Sequence, residues 1–217
     1  MTNPAPATFS TDPEPFLTSR RARMLGIGLG AVLLVGLIIW FLVTATHRKE
    51  AFAAQALESA RATAESGDIG QAVQQFEQVA TTYAGTDAGY EANLGIAQVR
   101  LIAGQAELAI SSLEEFLASN PPERFASPGH GLLGTGLENT RKFAEAATAY
   151  RRGAELASTP YLKATMLLDA GRAQRLAGDT AAAIATYREI LDQFGETAAR
   201  SEAEVRLTEL TSASTAG

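Results

Sequence analysis

Hydrophobic residues follow two different patterns along this chain. From Met24 to Thr44 the sequence reads MLGIGLGAVLLVGLIIWFLVT, 21 residues without a charge. From about residue 50 onward, apolar positions recur at helical spacing in an alanine-rich background, which predicts amphipathic helices packed on one another. This second region repeats with a period of 37 residues: Ala72, Ala109, Ala146 and Ala183 share one position. Four residues beyond each alanine, on the same helix face, stands a large side chain: Phe76, Leu113, Tyr150 and Tyr187. Just before each alanine, Gly67, Gly104 and Gly178 hold one register, with Arg141 in the third place, so each repeat reads as a first helix, a tight turn and a second helix. An earlier small position, Ala60, Ala97, Gly134 and Gly171, belongs where two helices approach closely and little volume is tolerated.

The repeats fall at about residues 50–86, 87–123, 124–160 and 161–196. Asp68 followed by Gln71 has the form of an N-terminal cap for the second helix of the first repeat, and Asp179 can cap in the fourth. Pro121 and Pro122 stop the second helix of repeat two, and Pro160 stands in the link before repeat four. Residues 197–210 carry an apolar stripe at Ala199, Ala203, Val205 and Leu210; they predict a capping helix that covers the apolar face of the last repeat. Residues 211–217 are expected to be a flexible tail. The A-x3-F half of the tetratricopeptide signature is present in all four repeats, with Leu or Tyr in place of Phe after the first. The W-x2-L-G-x2-Y half is degenerate, reading His130, Leu133, Gly134 and Leu137 in repeat three, and its leading aromatic is missing throughout. The expected fold is all-α: one N-terminal membrane helix, an α-solenoid of about four tetratricopeptide-type pairs, and a capping helix.

The membrane expectation rests on the first region. At 1.5 Å per residue the 21 uncharged residues span about 31 Å, the thickness of a bilayer's hydrocarbon core. Basic side chains bracket the run, Arg20, Arg21 and Arg23 before it and Arg48 and Lys49 after it, and Trp40 lies near its end, where an indole favours the interface. A cleavable signal peptide is the alternative, because Ala51-Phe52-Ala53 has the A-x-A form. The run is longer than a signal core, however, and His47, Arg48, Lys49 and Glu50 intervene before that site. The basic flanks give a small positive-inside bias, hence a cytoplasmic N-terminus. Gly26 and Gly30 form one small-xxx-small pair through which another helix could approach. Residues 1–19, with Pro4, Pro6, Pro13 and Pro15, are expected to be a disordered cytoplasmic tail, and residues 20–49 the anchor with its flanks.

Charge and composition narrow the chemistry. Residues 50–217 hold 13 basic against 22 acidic side chains, a balance of −9, which opposes nucleic acid and anionic headgroups. The chain has no cysteine, so disulfides, thiolate metal sites and lipid-modified cysteine are excluded. Two histidines, His47 and His130, do not suggest a metal site, and no Ser-His-acid arrangement is visible. Gly129, Gly131 and Gly134 spell GxGxxG, but no strand precedes them and the repeat register already explains Gly134. His130 takes a core-type position of a first helix, and adjacent Glu114 and Glu115 read as a solvated face. No catalytic residue, metal or cofactor is expected. What remains is surface: first-helix side chains of stacked pairs line a face that binds peptides or helices. On the repeat register these are Arg61, Leu94, Gln98, Leu101, Glu138, Arg172 and Arg175. Arg172 and Arg175, three apart, are placed to take a carboxylate or to pair with Asp169 or Asp179.

A short tail, one membrane helix, the run RKEAFAAQALESARATAESGDIGQAVQQFEQV directly after it and degenerate tetratricopeptide pairs resemble the bacterial ancillary SecYEG translocon subunit family, often called YfgM-like. The resemblance covers roughly residues 15–210 and is architectural. It implies a bacterial inner-membrane protein whose repeats face the periplasm and touch translocon subunits, periplasmic chaperones or secreted chains, without catalytic residues. The missing aromatics at the front of the first helices depart from that family. A second expectation, independent of the resemblance, is a structural accessory subunit of a respiratory or photosynthetic membrane complex.

Overall fold

A computed structural model of the chain describes residues 20–215, with the side chains of 213–215 and of many positions within 20–47 outside the description. Every described element is an α-helix: α1 (Arg20–Glu65), α2 (Ile69–Thr82), α3 (Asp87–Ile102), α4 (Ala106–Ala118), α5 (Glu123–Asn139), α6 (Phe143–Leu156), α7 (Pro160–Leu176), α8 (Thr180–Gln193) and α9 (Ala199–Thr215). The chain divides into two units between Arg48 and Lys49.

The first unit contains the N-terminal part of α1. Leu29, Leu33, Leu34, Val35, Leu37, Trp40 and Phe41 are all exposed, and because 33, 34 and 35 are consecutive on a helix, the exposed apolar side chains point to several sides of it. Among the described residues no helix is long and apolar enough to cross a membrane. The side chains of Arg20, Arg21 and Arg23 and the surroundings of Gly26 and Gly30 lie outside the described residues. The sequence separates an apolar span from the first repeat helix, but α1 runs through both; no glycine or proline stands between Thr44 and Glu65 to stop it.

The second unit is the solenoid. The last part of α1 pairs with α2, α3 with α4, α5 with α6 and α7 with α8, while α9 packs on α8 and α7 as the cap. The four register alanines are completely buried, and Phe76, Leu113, Tyr150 and Tyr187 are nearly so. Volumes are matched across each pair. A Cβ on Gly134 would lie 2.6 Å from the Tyr150 ring, and one on Gly171 the same distance from the Tyr187 ring; the repeats with Phe or Leu carry Ala60 and Ala97 instead.

The turn between helices has a common form. Gly67, Gly104 and Gly178 have φ of 87°, 73° and 84°, and Arg141 takes the same left-handed conformation at 62°, so the third turn keeps its geometry without the residue that adopts it freely. The hydrogen bonds repeat as well: Gln105, Lys142 and Asp179 each donate their N–H to the carbonyl five residues back, the Schellman closure. Asp68 and Asp179 accept from the N–H of Gln71 and Ala182, both at 3.0 Å.

Three local expectations are corrected. Val205 is exposed; the stripe of α9 runs through Ala199, Ala203, Leu207 and Leu210, the four-four-three spacing of one helical face. The cap continues to Thr215 rather than ending at residue 210. Pro160 opens α7 instead of lying in a link, with Thr159 capping Leu162 N–H, because a first-turn proline gives up no helical hydrogen bond. Pro128 stands inside α5, a position the sequence did not flag.

Candidate interaction surface

Between the last part of α1 and α3 lies an open groove of about 510 Å³, floored by Ile69 and Phe76 of α2. Gly95 makes it possible: a Cβ there would stand 2.8 Å from the Phe76 ring, so glycine lets the ring slide under α3. Leu94, Val99 and Ile102 supply apolar lining, and Arg61, Glu65, Glu91 and Gln98 also line it. Ile102 is 74% exposed, which puts a large apolar side chain in water with nothing covering it. Arg61 donates to Glu58 and Glu91, at 2.6 and 2.5 Å; the Glu58 bond foremost raises its guanidinium pKa. With Glu65 beside this trio, carboxylates outnumber the one guanidinium around the groove. Arg48 and Lys49, expected beside the membrane, are exposed, and Lys49 Nζ donates to the Ala84 carbonyl at 3.2 Å.

Of the seven surface residues expected from the register, Arg61, Leu94 and Gln98 meet in this groove. Leu101 does not; it packs beside Leu94, Leu132 and Leu133 against the core. Glu138 and Arg172 are joined in a separate network one repeat apart. Arg172 Nε and Nη2 donate to Glu138 at 3.2 and 2.8 Å, and its remaining terminal nitrogen lies 2.7 Å from Asp169. Tyr150 Oη donates to the same Glu138 carboxylate at 3.0 Å and lies 3.2 Å from Thr135 Oγ1. Burial first, with the Glu138 charge adding to it, raises the Tyr150 phenol above its ordinary value, and burial raises the Asp169 carboxyl against the pull of Arg172. Each of the three Arg172 guanidinium nitrogens therefore has a carboxylate partner within the chain. Asp179 caps α8, and Arg175 makes no ion pair among the described residues.

The sequence missed Glu91, Val99 and Ile102. The signal for Ile102 was present: its register mates are Glu65, Asn139 and Leu176, so an isoleucine there breaks a mainly polar start to the column. The GxGxxG glycines all lie inside α5 as packing positions, against Leu117, Met166 and Tyr150. His130 is half-buried, and its Nδ1 has no hydrogen-bond partner among the described residues. Among the described residues no three His, Asp or Glu side chains are grouped to hold a metal.

Stacked two-helix repeats with glycine turns and paired small and large core positions define a helical repeat scaffold. Residues 41–158 match the tetratricopeptide repeat-like domain model and residues 132–199 a tetratricopeptide repeat model; the chain belongs to the tetratricopeptide repeat-like family. No curated protein matches it. Solved structures of the same fold include a Podosopora anserina kinesin light chain protein of nearly identical TPR-like repeats, 18% identical at a TM-score of 0.58 over 74% of this chain and 86% of that one. MamA from Desulfovibrio magneticus RS-1, from residue 41 to its end, is 19% identical at 0.52 over 66% and 76%. At these identities the likeness is one of fold. That fold is a protein-interaction scaffold.

Proposed function

We propose that this chain is a non-catalytic scaffold held in a bacterial inner membrane by its N-terminal helix, with its repeats in the periplasm, where the α1–α3 groove docks partner proteins of export or envelope assembly. The observation that carries the docking role is the uncovered groove itself, where Ile102 and Leu94 offer an apolar surface bordered by Arg61, Glu65 and Glu91. Membrane anchoring is supported by the uncharged run from Met24 to Thr44 and by the exposed apolar side chains on α1, which a hydrocarbon environment would cover. The export setting follows from the resemblance to the ancillary translocon subunits and to nothing finer.

Two measurements test this. Alkaline extraction is expected to leave the full chain in the membrane pellet and to release a variant carrying Leu33→Lys, Leu34→Lys and Val35→Lys; release of the unaltered chain removes the anchor from the reading. A photo-crosslinking side chain at position 94, activated in intact cells, is expected to capture translocon subunits, chaperones or emerging chains. Capture of the subunits of one respiratory or photosynthetic complex instead makes the chain an accessory subunit.

A further inference from the structure

The junctions between successive first helices can be compared position by position, because the period sets Ala64, Leu101 and Glu138 in one column and Gly95, Leu132 and Asp169 in another. Between α3 and α5 both positions are leucine, and Leu101 and Leu132 pack on the core formed by Ala97, Ala109 and Leu113. Between α5 and α7 both are carboxylates, and Arg172 joins them, 2.8 Å from Glu138 and 2.7 Å from Asp169. Between α1 and α3 they are Ala64 and Gly95, which line the open groove. Two junctions are thus closed by side chains of the chain itself, and at the first neither helix supplies one.

Position 95 cannot close this groove. A Cβ there would already stand 2.8 Å from the Phe76 ring, so no larger residue fits while Phe76 lies beneath. Phe76 is buried, but Ile102 at the edge is 74% exposed, and Ile69 and Leu94 are half-buried. The space and its lining suit an apolar side chain of leucine size, the kind that closes the next junction. Charge decides what stands beside it. Arg61 is held by Glu58 and Glu91, as Arg172, in the same column, is held by Asp169 and Glu138. Glu65, exposed on the groove's edge, makes no ion pair among the described residues. Three carboxylates around one guanidinium, on a domain whose residues 50–217 balance at −9, attract a basic segment and repel an acidic one.

We propose that the α1–α3 groove takes a partner segment in which a leucine-type side chain, seated over Phe76 beside Ile102, is flanked by lysine or arginine. The partner chemistry rests on the docking role proposed above for the same groove.

The test uses the full-length chain in zwitterionic detergent micelles, with empty micelles as the blank, titrated with fluorescein-labelled Gly-Lys-Lys-Leu-Leu-Lys-Lys-Gly and followed by fluorescence anisotropy. Burying a leucine side chain corresponds to about a tenfold or larger change in affinity. The peptide with serine for leucine is therefore expected to bind about tenfold more weakly, and the peptide with glutamate for lysine at least as weakly. Ala64→Leu, which puts at the first junction the leucine that closes the second, is expected to block the groove and weaken binding about tenfold. Ile102→Asp, at an exposed position, is expected to do the same and remains informative if Ala64→Leu does not fold. Leu108→Asp, on α4 outside the groove, is expected to leave the titration unchanged. Equal binding of the lysine and glutamate peptides, both still weakened by Ile102→Asp, overturns the basic partner while leaving the groove a docking site. Absence of saturable binding by the lysine peptide overturns the assignment. Binding that Ile102→Asp does not change, or that Leu108→Asp weakens equally, overturns the assignment and places the peptide outside the groove.

Discussion

At the scale of single residues, the repeats are specified by matched volumes and by one backbone conformation. Tyr150 is held both by packing on Gly134 and by its hydroxyl contacts to Glu138 and Thr135, so its ring has no room to retreat. Gly134→Ala adds a methyl at 2.6 Å from that ring; overpacking costs about 1–3 kcal/mol and the better helix propensity of alanine returns at most about 1. A lower urea midpoint is expected. Arg141 shows the opposite sign. Its φ of 62° strains a side-chain-bearing residue, so Arg141→Gly is expected to raise stability by about 0.5–1 kcal/mol, read from the same midpoint. Loss of the Arg141 guanidinium over the Phe143 ring, 6.0 Å from its centroid, offsets some of this gain. The glycine period was legible in the sequence, but that Arg141 keeps the glycine conformation was not: the side chain breaks the letter pattern, while the hydrogen bonds that impose the turn come from the backbone.

Helices, taken as elements, are tied to the next repeat by ion pairs that the register alone does not disclose. Glu138 on α5 accepts from Arg172 on α7 and from Tyr150 on α6, joining three helices through one carboxylate whose side chain is 14% exposed. Glu138→Gln keeps the shape and removes the charge. Because Arg172 is half-exposed and screened, a double-mutant cycle of Glu138→Gln with Arg172→Gln is expected to give a coupling of about 1 kcal/mol, and no coupling would show that the pair is geometric only. Sequence reasoning placed both residues on the first-helix face and got their column right. It left Arg172 either to a partner's carboxylate or to Asp169; the Asp169 pair is formed, while the bonds to Glu138 were not legible, because two residues 34 apart in sequence show no sign of contact in one dimension. The buried face of α9 differs from the sequence expectation for a related reason: Val205 is apolar and near the stripe, yet one face of a helix admits 203 and 207, not 205.

The whole molecule carries a pH dependence through a position that looks inert. Burial foremost, with the nearby Arg152 charge adding and Glu155 opposing, lowers the His130 pKa below its ordinary value. The folded chain thus takes up a proton less readily than the unfolded one, so stability is level above the unfolded value near about 6.5 and falls as pH drops through it. Thermal melts of the full chain and of His130→Asn between about pH 7.5 and 5.5 are expected to diverge, the unaltered chain losing more. Parallel curves would mean that the imidazole is solvated.

Fold class was legible at this scale because a period of 37 residues leaves little freedom once helices must stack. The groove was only half legible, since it depends on Gly95 admitting a ring from a neighbouring helix, a three-dimensional coincidence with no one-dimensional sign.

The matched core volumes bear on how such a gene could change its copy number. Excising residues 67–103 would splice the turns in register and set Ala60 against Leu113, the pairing Ala97 already makes. Excising residues 104–140 would splice equally well but set Ala97 against Tyr150, where the present chain requires Gly134. Units of equal length are thus not equally expendable, and loss of the first unit is the easier route to a shorter descendant.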